Sequence, residues 1–395
     1  MKIQLLEKKD LLAAKALWGY AFEKNEPFYS WYFDEVAKPQ NILGIFDENK
    51  LVSCLQLNPY RLYVNNTVYD TSYIVGVITD PGCRNKGLMK KLMSSAIEEM
   101  HRRHQAVSIL MPFDTGFYRP YGWELYCSQL RYEIPVEVLK DISSKKGAFS
   151  SIQPDQDIDG LDSIYRQFLH QHQGYVLRSN ENWAHILQDL SCDGGHGYLL
   201  KNDEGESLGY ILYFVKDGKL SVKEVCAISW EAYRSIFGFM LSHSSQIKTV
   251  EWNGPSDDLM YLMLRDTLQP EYTNSIRIVP FMAGRVIDVK KALEESRFDS
   301  SLSCSFTMKI TDTYAPWNDK VFHVHIKDGT ANVTDTSAES PDMVCSINTF
   351  SQLFFGAFGM DEAIFYQGMI VNNPSIRPNL SKVFFKKQNY INEYF

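Results

Sequence analysis

Residues 74–89 read IVGVITDPGCRNKGLM. β-Branched residues dominate the first five positions, which predicts a β-strand, and Pro81-Gly82 ends that strand because neither residue suits a strand interior. From Leu88 to Met100 the apolar residues recur with a period near 3.6, while lysine, serine and glutamate take the other positions. This pattern predicts an amphipathic helix with one face packed on a sheet.

The turn between this strand and helix is rich in cations. Arg84, Lys86, Lys90 and Lys91 lie at the amino end of the predicted helix, where each positive charge opposes the helix dipole by roughly 0.3–1 kcal/mol. A bound anion would offset this cost. Because Gly87 allows close approach and a helix start carries unpaired N–H groups, the turn predicts a phosphate-binding site.

Length and composition narrow the class of protein. The chain has 395 residues, of which 45% are hydrophobic and 22% charged, and this length predicts two or three globular domains. The net charge of -8 argues against nucleic-acid binding and permits cationic ligands. No signal peptide and no apolar run of membrane-spanning length is present, so we expect a cytoplasmic protein without membrane contact. Seven cysteines without a C-x-x-C pair predict reduced thiols and no metal site.

Changes of pattern divide the chain into three predicted domains, 1–145, 146–284 and 285–395. A polar linker at 141–147 marks the first boundary, and an interruption at 282–284 marks the second. The first segment is predicted to contain a helix at 11–22, strands at 41–46, 51–57 and 61–64, the strand and helix described above, and a strand at 106–111.

The second segment repeats the end of the first. A strand at 220–228, a helix at 230–243 and a strand at 248–252 are predicted, but the turn reads Ser229-Trp230-Glu231-Ala232. Where phosphate would approach, this turn has the bulky Trp230 and the acidic Glu231 and lacks a glycine. A carboxylate that faces a phosphate raises the free energy of binding, because the two negative charges repel. We therefore interpret this segment as a structural duplicate that does not bind nucleotide.

The third segment is predicted to be an α+β module. Strands at 305–310, 321–326 and 331–334 come first, with Asp328-Gly329 as a hairpin turn between the last two. Helices at 349–358, 360–366 and 380–385 follow. Strands grouped before helices are typical of α+β folds.

Three features together resemble one acetyltransferase family. They are PGCRNKGL at 81–88, FYRPYGW at 117–123 and a final phenylalanine, Phe395. With the repeat and the third module, they are similar to the Eis (enhanced intracellular survival) family of GNAT N-acetyltransferases. The resemblance implies an α/β (α+β) architecture of tandem GNAT folds, the second degenerate, plus a carboxy-terminal α+β domain like sterol carrier protein.

The resemblance also implies acetyl-CoA as co-substrate, with no metal. The residues it places at the cofactor are Val77, Ile78 and Thr79 along the pantetheine arm, Arg84, Asn85, Lys86, Gly87, Leu88, Met89 and Lys90 around the pyrophosphate, and Phe113 and Asp114 as a wall. Two departures stand out. The turn lacks the longer arginine run that is frequent in the family, and Phe113 replaces a small hydroxyl residue.

Acetyl transfer to an amine needs a neutral nucleophile, a polarised thioester and a proton for the departing thiolate. The resemblance implies that Tyr118 is the general acid and that the terminal carboxylate of Phe395 is the base. By their position in the sequence, Phe22, Glu23, Trp31 and Asp114 are expected to be walls of the acceptor pocket, because an aromatic and acidic lining suits amines through cation–π and ion-pair contacts. The expected acceptor is a primary amine on a cationic molecule resembling an aminoglycoside, a polyamine or a lysine side chain.

Two other functions stay open at this point. The chain could be a non-catalytic acyl-CoA or lipid-binding protein that uses its third module as a carrier. It could also be an aminoacyl-tRNA-dependent transferase, since paired GNAT domains also occur there, although the negative charge and the missing basic face argue against RNA binding and the intact cofactor turn argues against this function. The resemblance further implies a homo-oligomer, a trimer or a hexamer.

Overall fold

A computed structural model describes residues 1–22, 24–265 and 274–394. The strands are β1 (Lys2–Leu5), β2 (Ile42–Asp47), β3 (Lys50–Val64), β4 (Thr67–Thr79), β5 (Val107–Leu110), β6 (Glu124–Pro135), β7 (Ala148–Ser151), β8 (Tyr175–Val176), β9 (His196–Lys201), β10 (Ser207–Lys216), β11 (Lys219–Ala227), β12 (Thr249–Pro255), β13 (Ser275–Val286), β14 (Cys304–Thr311), β15 (Val321–Lys327), β16 (Thr330–Thr336), β17 (Met343–Ser346) and β18 (Ile370–Val371).

The helices are α1 (Leu11–Ala21), α2 (Phe28–Trp31), α3 (Leu88–Arg102), α4 (Thr115–Tyr118), α5 (Pro154–Phe168), α6 (Asn180–Cys192), α7 (Trp230–Leu241), α8 (Val289–Glu295), α9 (Ile347–Phe355), α10 (Met360–Gln367) and α11 (Arg377–Val383). Among the described residues, none of the helices is long and apolar enough to cross a membrane. The chain forms two compact units. The first comprises 1–127, 173–177 and 281–395, and the second comprises 128–172 and 178–280.

The first unit contains a twisted sheet in the order β1-β2-β3-β4-β5, followed by the last residues of β13. Neighbouring strands are antiparallel except for β4 and β5, which run parallel and are joined by α3. The predicted amphipathic helix is confirmed. Its buried residues are Leu88, Leu92, Met93, Ala96, Ile97 and Met100, while Lys90 and Lys91 are exposed.

Strand β3 corrects one prediction. The sequence predicts two short strands around Pro59, whereas the structure has one strand of 15 residues that pairs with β4 throughout. The opposite edge of β3 pairs with β2 as far as Gln56 and with β8 at Leu62, so Pro59 lies between these pairings. A proline lacks the N–H that a central strand needs, and it is tolerated at this point because no described strand pairs with that stretch of the edge.

The interruption predicted at 282–284 is also wrong, because β13 runs through it and its residues there are buried. Glycine is required at position 284 by close packing, and this residue does not lie in a turn. A Cβ atom at this position would lie 2.6 Å from the ring of Phe355. The domain limits at 145 and 284 themselves stay predictions.

A second sheet in the first unit has the order β16-β15-β14-β17-β18. The predicted hairpin turn is confirmed, since Asp328 and Gly329 both have positive φ, 51° and 76°, as the tight turn between β15 and β16 requires. Helices α9, α10 and α11 follow the strands. Helix α9 is buried along nearly its whole length, which makes it the centre of this module's core.

In the second unit the strand order is β7, β9, β10, β11 and β12, followed by the last residues of β6. Strands β11 and β12 run parallel and are joined by α7, so the strand-helix-strand repeat predicted from the sequence is confirmed. Helix α7 buries Ile236, Phe237 and Met240, in agreement with the face predicted for it.

Candidate active site

Strand β4 loses its pairing with β5 at the point where the candidate site begins. Strand β5 pairs with β4 only over 71–73, whereas the pairing with β3 continues to Thr79. No strand of the described chain covers the other edge of residues 74–79. The backbone groups on this edge, which include those of Val77, Ile78 and Thr79, are therefore available to an extended ligand.

A β-bulge bends β4 within this open stretch. Gly76 has a φ of +60°, and two residues of β4 oppose one residue of β3 at this point. A Cβ atom on Gly76 would lie 2.5 Å from the indole ring of Trp18 on α1. Glycine is thus required both by the backbone conformation and by the close approach of Trp18.

The turn after β4 is held by Asp80. Its carboxylate accepts a hydrogen bond of 2.9 Å from the N–H of Gly82 and one of 3.0 Å from Lys50 Nζ. These bonds lower the pKa of Asp80, with the bond from Lys50 as the larger cause. Asp80 therefore stays ionised and fixes the path of the chain toward α3.

Two residues with left-handed backbone lead into α3. Asn85 has a φ of 60° and Gly87 a φ of 70°, and Gly87 precedes the first helical residue without any side chain capping the helix. A Cβ atom on Gly87 would meet no described atom within 4 Å. The N–H groups of the first turn, those of Leu88, Met89 and Lys90, have no acceptor within α3 itself, and the space beside Gly87 is open to a ligand.

The side chains around this turn add positive charge. Arg84, Asn85, Lys86 and Lys90 are exposed, and Met89 is half-buried. The guanidinium carbon of Arg84 lies 5.9 Å from the ring centroid of Tyr20 on α1. Cations, free N–H groups and a glycine that leaves room for approach form an anion-binding cradle, as the sequence predicts.

The corresponding helix of the second unit lacks this cradle. Ser229 caps α7, because its side chain accepts a hydrogen bond of 3.2 Å from the N–H of Ala232. Glu231 in the same turn accepts a hydrogen bond of 3.0 Å from Ser144, and this bond is the main cause of its lowered pKa. An acid that stays ionised and a capped helix start both oppose phosphate binding.

Tyr118 ends the short helix α4, which follows β5. Asp114 begins this helix by accepting a hydrogen bond of 2.7 Å from the N–H of Gly116, so its exposed carboxylate has a structural role besides any contact with a ligand. Tyr118 is 6% exposed, and burial raises its pKa to about 12. No hydrogen bond joins its hydroxyl to another described residue.

An aromatic cluster surrounds Tyr118. The ring of Phe113 lies edge-on to that of Tyr118, with 6.0 Å between centroids, and 5.0 Å from the ring of Phe117. Phe113 is 77% exposed and Phe117 is 48% exposed. Phe113 therefore lies at the mouth of the open edge, where the sequence predicts a cofactor wall.

The carboxy-terminal segment is packed into the first unit. Tyr390, Ile391 and Glu393 are buried, and the carbonyl oxygen of Glu393 accepts a hydrogen bond of 3.2 Å from the Tyr73 hydroxyl. Tyr73 is the residue at which β4 and β5 separate. The tail thus reaches the start of the open edge, while Phe395 lies outside the described residues.

Gln173 fixes this tail through both its backbone and its side chain. Its backbone bonds to Gln388 and Tyr390. Its side-chain oxygen accepts a hydrogen bond of 3.0 Å from the Asn65 N–H, and its amide donates one of 2.9 Å to the carbonyl of Phe355. The tail is therefore tied to a strand hairpin and to α9.

Two of the predicted acceptor walls lie near the start of the chain, Phe22 directly after α1 and Trp31 in α2, while Asp114 begins α4. Phe22 is 44% exposed, and its ring lies 4.8 Å from that of Trp18. Trp31 is half-buried with its ring 5.9 Å from Phe28. Glu23 lies outside the described residues, so its predicted place in the pocket has no structural description.

Sequence reasoning missed a buried polar cluster next to these aromatic residues. The Tyr32 hydroxyl donates a hydrogen bond of 3.0 Å to Gln56 and accepts one of 3.2 Å from Asn58. The Tyr32 ring also stacks on Trp18, at 5.1 Å. The signal was Gln56 and Asn58 at alternate positions of an otherwise apolar strand, which places both side chains on one face.

Comparison with protein families finds three domains along the chain. An acetyltransferase (GNAT) domain matches residues 2–126, a second acetyltransferase (GNAT) domain matches residues 174–286, and a sterol carrier protein domain matches residues 289–392. The two GNAT matches together cover more than half of the chain. No curated protein matched the sequence.

Several solved structures share the fold over the whole chain. A protein of unknown function from Enterococcus faecalis, described as a probable N-acyltransferase, is 22% identical with a TM-score of 0.88, and the match covers 100% of this chain and 99% of that one. A GCN5-related N-acetyltransferase from Anabaena variabilis is 19% identical with a TM-score of 0.86, and both chains are covered completely. Eis1 from Mycobacterium abscessus is 18% identical with a TM-score of 0.77, again with complete coverage.

These findings confirm the fold class and the domain order that the sequence resemblance implies. A GNAT domain implies an acyl-CoA co-substrate, and the cradle before α3 is suited to its pyrophosphate. The chain therefore belongs to the GNAT N-acetyltransferases, with two acetyltransferase domains and a sterol carrier protein domain in the Eis-like order.

Proposed function

We propose that the protein transfers the acetyl group of acetyl-CoA to a primary amine of a cationic acceptor by direct attack. One observation carries this proposal. One continuous stretch of the first unit, from β4 through α3 and β5 to α4, contains the open edge of β4, the uncapped helix start after Gly87 and the phenol of Tyr118. A cofactor can thus be bound along its length with its reactive end near a proton donor.

The described residues fit acetyl-CoA. The N–H groups of Leu88, Met89 and Lys90 would bind the pyrophosphate, with Arg84, Asn85 and Lys86 around it. The open edge at Val77, Ile78 and Thr79 would bind the pantetheine arm, and Phe113 and Asp114 would form a wall. Charge-assisted hydrogen bonds contribute roughly 1.5–3 kcal/mol each, so several N–H groups can compensate for a missing arginine.

Bound acetyl-CoA supplies the activated thioester that the amine attacks. Holding the amine and the thioester in reactive geometry can lower the barrier by roughly 7–11 kcal/mol. An acceptor that arrives as an ammonium gives one proton to a base before it attacks, the nitrogen releases a second proton as it is acylated, and the thiolate sulfur gains one. The net reaction of the ammonium with acetyl-CoA leaves an amide, a free thiol and one proton released to solvent.

Tyr118 is the proposed hydrogen-bond and proton donor to the thiolate sulfur. Its pKa of about 12 keeps the phenol protonated at working pH. Because a thiol has a pKa near 8.5, complete transfer from the phenol alone would cost about 5 kcal/mol. Tyr118 therefore acts through a hydrogen bond that strengthens as charge develops on sulfur, and the transfer is completed as the nitrogen gives up its own proton.

The terminal carboxylate of Phe395 is the proposed base. The burial of the tail and the bond from Tyr73 to Glu393 support it, since they bring the chain to the start of the open edge. A carboxyl group of pKa near 3.3–3.7 takes a proton from an ammonium only with the help of burial or a water relay, and it also attracts and orients a cation. One glycine appended after Phe395 tests this role, because it moves the carboxylate and leaves every side chain in place. Full activity in the extended protein would remove Phe395 from the mechanism.

The acceptor side is proposed to be lined by Phe22, Glu23 and Trp31. Exposed aromatic faces attract ammonium groups by roughly 0.5–2 kcal/mol, and the net charge of -8 favours the approach of a cation. An aminoglycoside, a polyamine or a lysine-like amine has this chemistry. The proposal includes no nucleic-acid or membrane partner.

The direct test is thiol release from acetyl-CoA in the presence of an aminoglycoside, a polyamine and a lysine peptide, each paired with its fully methylated analogue. None of the seven cysteines, all of which the structure describes, forms a disulfide, so a blank without amine is needed for any thiol reagent. We expect release only with primary amines, together with acetylated acceptor by mass spectrometry. Acetyl-CoA binding without release for any amine would favour a non-catalytic acyl-CoA carrier instead.

A further inference from the structure

A loop of the sterol carrier protein domain lies against helix α3. It is the connection between β14 and β15, residues 312–320, which we call the arm. The ring of its Trp317 stacks on His101 near the end of α3, with 4.0 Å between centroids and 13° between planes. The ring of its Tyr314 lies 6.0 Å from Lys90 Nζ, in the first turn of α3. The arm therefore extends along α3 as far as the turn that forms the pyrophosphate cradle.

The arm is held in one conformation by buried polar contacts. Arg285 Nη2 donates hydrogen bonds of 2.9 and 2.8 Å to the two carboxylate oxygens of Asp312, and both side chains are completely buried. The same carboxylate accepts a hydrogen bond of 3.1 Å from the N–H of Tyr314. Farther along the arm, the Asn318 amide donates one of 2.9 Å to the carbonyl of Ile287. Charge-assisted bonds of this kind impose geometry as well as stability, so Tyr314 is fixed beside the cradle before any ligand binds.

Tyr314 and Lys90 keep groups that a ligand can use. The Tyr314 ring packs on Tyr121 with 5.0 Å between centroids, and the residue is half-buried. Lys90 is exposed. Within the described part of the chain, the Tyr314 hydroxyl makes no hydrogen bond and Lys90 makes no ion pair. An aromatic ring next to an unpaired cation suits a base that carries phosphate.

Helices α1 and α3 pack on opposite faces of the sheet. Cys54 of β3 lies in the core that contains Trp18 of α1, whereas the next residue, Leu55, lies in the core that contains Leu92 of α3. Successive residues of a strand point to opposite faces. The proposed acceptor wall Trp31 packs on the core of the α1 face. An acceptor on that face leaves the α3 face, where Tyr314 lies, to the part of the cofactor beyond the pyrophosphate.

A second tyrosine borders the cradle and provides the rival path. Tyr20 of α1 is 59% exposed, and its ring centroid lies 5.9 Å from the guanidinium carbon of Arg84. The cradle thus has a tyrosine next to a cation on each face of the sheet. A nucleotide that leaves the cradle toward α1 would meet Tyr20, and one that leaves toward the arm would meet Tyr314.

We infer that Tyr314 contacts the nucleotide half of CoA, with Lys90 beside it to attract the phosphate of the ribose. The inference rests on the proposed function, because it takes the pyrophosphate to lie at the first turn of α3 and the acceptor to lie on the α1 face. The sterol carrier protein domain then contributes a residue to the donor site of the first acetyltransferase domain. Removal of an aromatic side chain on which a base stacks weakens binding by about 5- to 150-fold.

The two halves of CoA provide the test. The dissociation constants of CoA, phosphopantetheine and adenosine 3′,5′-bisphosphate are measured by calorimetry on the wild type, Tyr314→Ala and Tyr20→Ala. A further variant, Tyr314→Leu, keeps an apolar side chain against Tyr121 and covers the case in which the alanine variant unfolds. Thermal unfolding is recorded for every variant. None of the three ligands carries an acyl group, so binding is measured without turnover.

We expect both Tyr314 variants to bind CoA and adenosine 3′,5′-bisphosphate more weakly by the same factor, about tenfold in Tyr314→Ala, with phosphopantetheine unaffected. Tyr20→Ala should bind all three ligands as the wild type does. Unchanged CoA affinity in the Tyr314 variants would overturn the inference, and so would an equal loss for all three ligands, which would indicate a disturbed cradle. A loss of nucleotide binding in Tyr20→Ala alone would place the nucleotide on the α1 face. Thiol release is measured separately, so the expected binding without amine-dependent release would refute the proposed transfer and leave the nucleotide contact standing.

Discussion

Replacing Gly87 by alanine separates the cost of backbone strain from the loss of ligand binding, because the chain offers a matched glycine. Gly87 has a φ of 70° and Gly368 has a φ of 64°. At both positions an added Cβ atom meets no described atom within 4 Å. Both glycines also lie in the first unit, so the same unfolding transition reports on both.

The stability cost should therefore be the same in the two variants. An alanine in left-handed backbone costs roughly 1–2 kcal/mol of unfolding free energy. The open space at Gly368, after α10, has no proposed ligand. At Gly87 the methyl group would stand where the pyrophosphate approaches the first turn of α3.

The effect on binding should differ. Loss of one charge-assisted hydrogen bond between a first-turn N–H group and phosphate costs roughly 1.5–3 kcal/mol, which corresponds to about 10- to 150-fold weaker binding. Titration calorimetry with acetyl-CoA measures this, and thermal unfolding measures stability. We expect Gly87→Ala and Gly368→Ala to be equally destabilised, with weaker binding in Gly87→Ala alone. Wild-type affinity in Gly87→Ala, or an equal loss in both variants, would refute a pyrophosphate site at this turn.

Three further predictions concern other parts of the chain. Ser229→Ala removes the cap of α7 and should cost about 1 kcal/mol in stability without changing the acetyl-CoA dissociation constant by calorimetry; weakened binding would place cofactor in the second unit. Gln173→Ala leaves the buried N–H of Asn65 without its side-chain acceptor, while the Phe355 carbonyl keeps its bond from Asn389, so thermal unfolding should show a loss of about 1–3 kcal/mol, and hydrogen exchange of 388–394 should speed up; unchanged exchange would show that the Gln173 side chain does not hold the tail. Because burial raises the pKa of Tyr118 to about 12, ionisation of this residue should not lower kcat below about pH 11. A fall in wild-type kcat near pH 9 that is absent from Tyr118→Phe would contradict the burial of this phenol.

Local patterns predicted the cofactor side of the site well. The period of apolar residues gave helix α3, and the glycine and cations before it gave the cradle, because helix periodicity and helix-start chemistry depend on residues close in sequence. The same reasoning gave α7 and its blocked turn. The structure adds the Ser229 cap, which depends on the geometry of a single side chain.

Features that depend on distant residues escaped prediction. Pro59 lies inside β3, since the pairings of both strand edges decide whether its missing N–H matters. The Gln173 contacts join residues more than one hundred positions apart, Asn65 and Phe355 among them. The sequence wrongly predicts an interruption at Gly284, because a glycine required for close packing has the same sequence signature as one required for a turn.

The measurement that tests the account most directly is the initial rate of amine-dependent thiol release from acetyl-CoA by wild type and Tyr118→Phe, with the acetyl-CoA dissociation constant measured for both. The phenol is buried beside the open edge of β4, and its replacement removes only an oxygen atom. We predict a rate lower by about 10² or more with little change in affinity. A Tyr118→Phe variant that releases thiol at the wild-type rate would contradict the proposed mechanism.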